Sequence, residues 1–346
     1  MIIKVSNKPI CVGAGLVALD IVINDTQNEP LKLFAGGSCG NVLTILSFFD
    51  WEAFPLARLK ENNASKQLIT DLKRWNVNTK MISQTLDGST PIIIQKIRMD
   101  KNGNSKHDFQ FKNPETREWL PSYKPILGKS VNALITKIPK ASVFYFDRVN
   151  RSSIDLAKYY KEQGSLIYFE PSSLTENKQF HECIELAHII KFSNERIKDY
   201  SSILDKQRVP LEIVTFGKDG IQYRYSHKLN ANEWISLPSY ETSKVVDTAG
   251  SGDWFSAGLI SILGKNGVIT FEKCTDAEIR QALDFGQAFG ALNCYFEGAR
   301  GLMYNLSKTE IIANVYKMQK NEIPIVLGDK KNNLFEKIKI NISSLY

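Results

Sequence analysis

The chain has 346 residues, 43% hydrophobic and 23% charged, which is enough apolar material for a large core and excludes a disordered or fibrous protein. Its net charge is +7, yet Lys and Arg are spread along the chain without a basic tract; nucleic acid is therefore not an expected partner, whereas a mild attraction for an anionic substrate is. Cys11, Cys39, Cys183, Cys274 and Cys294 stand without CxxC or Cys/His spacing, which argues against disulfides or a zinc site and for a reducing, cytoplasmic setting. No apolar leader with a small-residue cleavage site opens the chain, and no run of about 18 apolar residues interrupts it, so neither export nor a membrane span is expected.

In chain order, β-like runs at Ile10–Gly13, Val143–Phe146, Leu166–Glu170, Ile189–Phe192 and Glu212–Thr215 alternate with helical patterns, which predicts parallel βαβ units. One such pattern, Ser152–Gln163, places Ile154, Leu156, Ala157 and Tyr160 near one face, and Gly164 closes its end. The fold class is therefore α/β, a doubly wound and mostly parallel sheet with helices on both faces. Two stretches break the rhythm. Ile21–Phe34 alternates apolar residues, and Pro91–Phe111 reads as a hairpin, with Ile92–Met99 and His107–Phe111 flanking turn residues Asp100–Asn104. Together they predict a small β-sheet lid. The expected organisation is one large α/β unit over residues 1–325, with lid segments near 20–35 and 90–112 inserted, and a lysine-rich extension over 326–346.

The strongest chemical signal is Asp247-Thr-Ala-Gly250-Ser251-Gly252-Asp253, followed by Phe255, Leu259 and Ile262 at helical spacing. Glycines around a small residue let backbone N–H groups turn inward at the start of a helix, where free amides and the positive dipole end attract anions. A carboxylate in the same turn is a poor phosphate ligand, but it suits a general base acting on an attacking hydroxyl. The plainer reading is a helix-capping aspartate; it does not account for glycines on both sides of Ser251.

These residues resemble the signature DTxGxGD of the ribokinase/pfkB carbohydrate-kinase family, with Ser251 where alanine is more usual. The resemblance implies that Asp253 is the catalytic base, that Gly250, Ser251 and Gly252 form the anion hole, and that Asp247 organises the loop or a nearby monovalent cation. Further segments follow in the family's order. Gly15-Leu-Val-Ala-Leu-Asp20 resembles the segment whose aspartate holds substrate hydroxyls, and Gly36-Gly37-Ser-Cys-Gly-Asn41-Val42 resembles the first family signature, so Asp20, Gly37 and Asn41 are expected on the acceptor. Thr215-Phe-Gly217-Lys-Asp-Gly220 resembles the nucleotide-side turn, Gln287 in the expected helix Ala282–Cys294 falls near an adenine-pocket position, and Glu297-Gly-Ala-Arg-Gly301 resembles the turn that follows it. Asn194 matches the asparagine of the family's Asn-x-x-Glu.

The implied function is ATP- and Mg²⁺-dependent phosphoryl transfer to a hydroxyl of a small sugar-like or nucleoside substrate, on a ribokinase-like fold. The lid also fits pairing into a homodimer, although its apolar Ile92–Ile97 equally suits covering a pocket. Two departures stand out. The glutamate of Asn-x-x-Glu is replaced by Ile197, with Glu195 as a nearby substitute, and the usual Gly-x-Asp-x-x-Gly is replaced by Ala57–Ala64. The first motivates an alternative, a catalytically weak sugar- or nucleoside-binding regulator on the same fold.

Competing motifs carry less. Gly13-Ala-Gly15-Leu-Val-Ala18 satisfies GxGxxA, but that fingerprint needs a helix immediately afterwards, and Leu19–Asp25 is β-branched and alternating. Asp247-Thr-Ala-Gly250 imitates a GTPase switch motif without any upstream GxxxxGK[ST]. His107, His181, His188 and His227 are isolated and read as surface or packing residues. Asp147-Arg148, after a strand, reads either as reaching the site or as a surface ion pair.

Overall fold

The apolar runs line up as neighbouring strands of one large sheet. A computed structural model describes residues 8–24, 31–99, 105–174, 177–197, 203–205, 208–226, 233–326 and 341–346. The chain begins with β1 (Ile10–Ala14), β2 (Ala18–Asn24), β3 (Lys32–Gly36), α1 (Ser38–Phe48), β4 (Glu52–Lys60), α2 (Asn63–Arg74), β5 (Ile82–Thr85), β6 (Ile92–Met99) and β7 (Ser105–Gln110). It continues through α3 (Val131–Ile135), β8 (Val143–Phe146), α4 (Arg151–Glu162), β9 (Leu166–Phe169), α5 (Lys178–Leu186), β10 (Ile189–Ser193), β11 (Leu211–Thr215), β12 (Ile221–Tyr225) and β13 (Ile235–Leu237). The helices α6 (Ser251–Leu263), α7 (Val268–Phe271), α8 (Asp276–Asn293), α9 (Gly301–Asn305) and α10 (Lys308–Gln319) follow.

Nine strands pair in the order β13-β12-β11-β10-β9-β8-β1-β4-β5. Pairing is parallel from β11 to β5 and antiparallel through β12 and β13. Alternate residues point to opposite faces, and both faces are covered. Val143 and Tyr145 join the core that packs against α1, α6 and α8, whereas Phe144 and Phe146 join a second core against α4 and α5. This two-sided burial explains why the strands are nearly all apolar. The expected doubly wound sheet is what forms.

The helices begin where the chain offers side-chain acceptors to free amides. Asn150 accepts from Ser153 N–H at the start of α4, and Thr275 and Glu278 make a reciprocal capping box at α8. Gly164 takes φ +81° just beyond α4, the left-handed conformation that ends helices.

The second sheet has the order β3-β2-β6-β7, with β2 parallel to β6 and antiparallel to β3, and β6 antiparallel to β7. It matches the expected lid. The turn expected at Asp100–Asn104 lies outside the described residues, as do His227 and the side chain of His107. Strand β4 has no counterpart in the sequence reading. Pro55 disguises it, since proline is rare in central strands. Here β4 pairs β5 only from Ala57 onward, so Pro55 sits where that edge is open. Gly13-Ala-Gly15-Leu-Val-Ala18 leads into β2, not a helix, which removes the dinucleotide fingerprint. Near the C-terminus, Ile342 and Leu345 are buried in the main core, and Asn113 Nδ2 donates to Ser343 Oγ and Tyr346 Oη, both at 3.0 Å.

Candidate active site

Open parallel sheets bind ligands beyond the carboxyl ends of their strands. Along that edge a cavity of about 1090 Å³ opens, lined by residues that follow or close β1, β8, β9, β10 and β11: Leu16, Arg148, Glu170, Ser193 and Thr215. Strand β11 stands four positions from β1, about 19 Å at ordinary strand spacing, which gives room for two ligands end to end.

Two helix starts meet at its floor. Gly37 takes φ +78° ahead of α1, and a Cβ there would press on Leu16 O, so only glycine lets the helix begin this close to the end of β1. Gly40 N–H then donates to Leu16 O at 3.1 Å, and Asn41 is buried one turn into α1. Across the floor Gly250 takes φ +73° before α6, where a Cβ would overlap Ala299 O. Asn41 Nδ2 donates to Asp253 Oδ2 at 2.8 Å. Ser251 N–H is used on Thr248 O at 3.2 Å, and Trp254 N–H on Gly250 O at 2.9 Å. Among the described residues the amides of Gly252 and Asp253 have no such partner, leaving donors at the positive end of the helix beside the carboxylate.

Asp253 is 9% exposed, and burial pushes its pKa up to about 7. The charge of Glu170 pushes in the same direction, against the Asn41 hydrogen bond and the charges of Lys191 and Arg196. Sequence reading missed the ion pair behind this balance. Lys191 Nζ lies 2.7 Å from Glu170 Oε1 and donates to Gly252 O at 2.7 Å, with its side chain only 3% exposed. Ser256 Oγ donates to Glu170 Oε2 at 2.6 Å, and Tyr145 Oη to the same oxygen at 3.2 Å. The one available signal was a lysine inside the apolar strand Ile189–Phe192, since a buried lysine requires a partner.

Asp20, on β2 of the lid, is also buried, and burial raises its pKa to about 7. The positive charge of Arg300 opposes that rise. Gln95 Nε2 donates to Asp20 Oδ2 at 2.9 Å. Asp20 Oδ1, Asn41 Oδ1 and Gln95 Oε1 are buried without a hydrogen-bond partner, and all three residues line the cavity. Buried acceptors left unmade are costly, so each calls for a donor from a ligand or from water. Arg300 reaches in behind them, its Nη2 donating to Asp71 Oδ2 at 2.6 Å and to Ala35 O at 2.5 Å.

Asp147, at the end of β8, accepts from Leu16 N–H at 2.8 Å and from Cys39 N–H at 3.0 Å. It is therefore a buried fastening for two backbone turns, while its neighbour Arg148 lines the cavity. Asp247 accepts from Ala249 N–H and Gly298 N–H, both at 2.7 Å, so its carboxylate ties the loop ahead of α6 to the turn after α8.

Of the expected acceptor residues, Asp20, Gly37 and Asn41 line the cavity. So do the expected anion-hole residues Gly250, Ser251 and Gly252, and the nucleotide-side residues Thr215, Gly217, Gly220 and Gln287. Asn194 does not. Its backbone N–H is held by Thr215 O at 3.0 Å, and its neighbours Ser193, Glu195 and Arg196 face the cavity instead. Ile197, in the glutamate's expected place, is 1% exposed in the core. His188 accepts from Ile167 N–H at 2.9 Å, and burial lowers its pKa to about 4; it is a neutral packing histidine.

Residues 11–303 match the sequence profile of the pfkB family carbohydrate kinases. The chain is 23% identical over 324 residues to a probable fructokinase-5 of Arabidopsis thaliana, covering 85% of this chain and 94% of the relative. Its fold is similar to that of a fructokinase with bound ATP from Xylella fastidiosa, with a TM-score of 0.66 and 15% identity over 90% of this chain and 99% of the other. It is also similar to a Methanocaldococcus jannaschii nucleoside kinase, with a TM-score of 0.63 and 17% identity over 89% and 98%. Matched along most of its length, and carrying its acid and glycines on the floor of one cleft, the chain belongs to the pfkB carbohydrate-kinase family.

Proposed function

We propose that this protein transfers the γ-phosphoryl group of ATP to a hydroxyl of a small sugar-like or nucleoside acceptor, with Asp253 as general base. One observation carries the reading. A buried carboxylate sits in the first turn of a glycine-opened helix and is held by Asn41 at 2.8 Å, facing a cavity whose acceptor side carries three unpartnered oxygens. The acceptor's hydroxyls bond to Asp20, Asn41 and Gln95. ATP lies toward β11, with Thr215, Gly217, Gly220 and Gln287 around it. Asp253 takes the proton as the hydroxyl attacks in line, and the free amides at the start of α6 meet the developing charge. Lid closure keeps water from competing as acceptor.

Magnesium fits the cavity on the chemistry of its carboxylates. Among the described residues no three His, Cys, Asp or Glu side chains gather into a cage, and Mg²⁺ commonly uses one or two carboxylates, phosphate oxygens and waters. Glu195, which lines the cavity, would hold it, directly or through water, while Glu170 beside it is already engaged by Lys191, Ser256 and Tyr145. When bound it would neutralise charge on the phosphate oxygens. We assign Asp247 to organising its loop, since backbone amides occupy both of its oxygens; a monovalent cation beside it remains part of the proposal.

The setting we propose is cytoplasmic, on the strength of five free cysteines, and no described helix is long and apolar enough to cross a membrane. We keep residues 1–325 as the catalytic unit, and pairing through the lid into a homodimer as a secondary proposal. The test of function is ADP release with Mg²⁺ over a panel of sugars, sugar phosphates and nucleosides. Acceptor-dependent release supports the reading; tight acceptor binding without release would support a regulatory binding protein instead.

A further inference from the structure

The inner face of the lid changes character across its strands. Asp20 on β2 pairs with Ile93 on β6, and two residues on Gln95 pairs directly with Phe109 on β7. Directly opposed residues of an antiparallel pair share a face, as do residues two apart along a strand. Asp20, Ile93, Gln95, Phe109 and Phe111 accordingly line the cavity from one side. In the middle of that face are the two acceptors that lack donors. At its outer strand stand two phenyl rings, Phe109 52% exposed and Phe111 53% exposed. Neither belongs to a hydrophobic core cluster, and among the described residues neither packs against another ring.

Bare rings on a ligand-facing surface are the ordinary seat for a flat group with apolar faces, because stacking returns free energy for any planar partner. A free sugar supplies hydroxyls to Asp20, Asn41 and Gln95 but nothing flat to cover the rings. A glycoside of a planar heterocycle supplies both, in the order in which the lid presents them. Resting on the phosphotransferase reading above, we propose that the acceptor is a nucleoside, its sugar hydroxyls read by Asp20, Asn41 and Gln95 and its base seated on Phe109 and Phe111. Gln95 and the two phenylalanines are then the residues that set specificity.

The experiment compares ribose and fructose with adenosine, inosine, cytidine and uridine in the ADP-release assay. It is run on the full chain and on the variant Phe109→Ala/Phe111→Ala, with nucleoside binding measured separately by calorimetry. Stacking of one base on aromatic rings supports a preference of roughly tenfold or more in kcat/KM for at least one nucleoside over ribose. The double variant should lose about that factor in the nucleoside-to-ribose ratio, chiefly through KM. A higher kcat/KM for a free sugar, with equal losses for both classes in the variant, overturns the nucleoside assignment and leaves the kinase reading intact. If no acceptor promotes ADP release, the kinase reading falls; nucleoside binding lost in the variant would still uphold the seat, and its absence in the parent chain would sink it. A variant that changes solution mass but not the ratio makes the rings a subunit contact and refutes the proposal.

Discussion

Asn41 and Asp253 are 212 positions apart in the chain and 2.8 Å apart in space, their side chains joining the first turns of α1 and α6. The bond brings a group expected on the acceptor into contact with the acid that would deprotonate it. It also means that the base is aimed before any ligand arrives.

Replacing that acid without changing its shape separates binding from chemistry. Asp253→Asn keeps an oxygen for Asn41 but cannot accept the acceptor's proton. We expect kcat to fall by about three orders of magnitude, within the range for loss of a general base, with ATP affinity preserved in calorimetry. Near-normal turnover would refute the assignment.

The pH dependence follows from burial. A base with a pKa of about 7 is idle when protonated, so kcat/KM should climb as pH rises through about 7 and level off above it. Stability runs the other way. Asp253 and Asp20 hold protons in the folded chain up to about 7, whereas unfolded they lose them near 3.8. The native state therefore binds more protons across that window, and stability falls as pH rises through it. Asp253→Asn removes one of these groups. Its melting temperature should exceed the parent's at pH 8 and converge with it near pH 4; the reverse order would mean that the acid is not held protonated.

The Glu170–Lys191 pair should act on the same pH profile from two sides. The charge of Glu170 raises the pKa of Asp253 and that of Lys191 lowers it. Glu170→Gln should move the acid limb of kcat/KM to lower pH, and Lys191→Met should move it higher. Breaking a buried pair by removing one partner commonly costs about 3 kcal/mol, so both variants are also expected to melt earlier. Limbs that stay in place would reduce the pair to a structural role.

Gly36 touches specificity through space alone. A Cβ there would overlap the Asp20 carboxylate. Gly36→Ala should displace that side chain and raise the acceptor KM by roughly tenfold, about the worth of one misplaced hydrogen bond to a charged group, with the ATP KM unchanged. Initial-rate kinetics with each substrate varied in turn will show whether the two effects divide this way.

Metal handling separates Glu195 from Ile197. Glu195→Gln should increase the Mg²⁺ concentration needed for half-maximal rate. Ile197→Glu should not restore a family-like requirement, because position 197 is buried in the core, and an uncompensated carboxylate there destabilises the fold. A soluble Ile197→Glu variant with improved Mg²⁺ dependence would contradict the geometry.

Much of this was legible in the sequence for identifiable reasons. The apolar runs of β1, β8, β9, β10 and β11 announced a sheet buried on both faces, and Gly250 and Gly252 announced a turn whose backbone needed room. What escaped was of three kinds. Strand β4 was hidden by Pro55, whose cost depends on which neighbour the open edge faces. Glu170, Gln95 and Arg300 were hidden because nothing in local spacing tells a buried, partnered polar group from a solvated one, and Lys191 was marked only by its place inside an apolar strand. The choice between Asn194 and Glu195 depended on the path of one turn, below the resolution of motif spacing.

Asp147 fixes Leu16 and Cys39 at once, and with them the approaches to Asp20 and Asn41. On the proposed reading, the floor on which an alcohol would meet its base is therefore surveyed from the middle of the large sheet. Side chains of the outer strands of the flap could then be exchanged during evolution without moving that floor, which would give such a scaffold licence to change clients while keeping its chemistry.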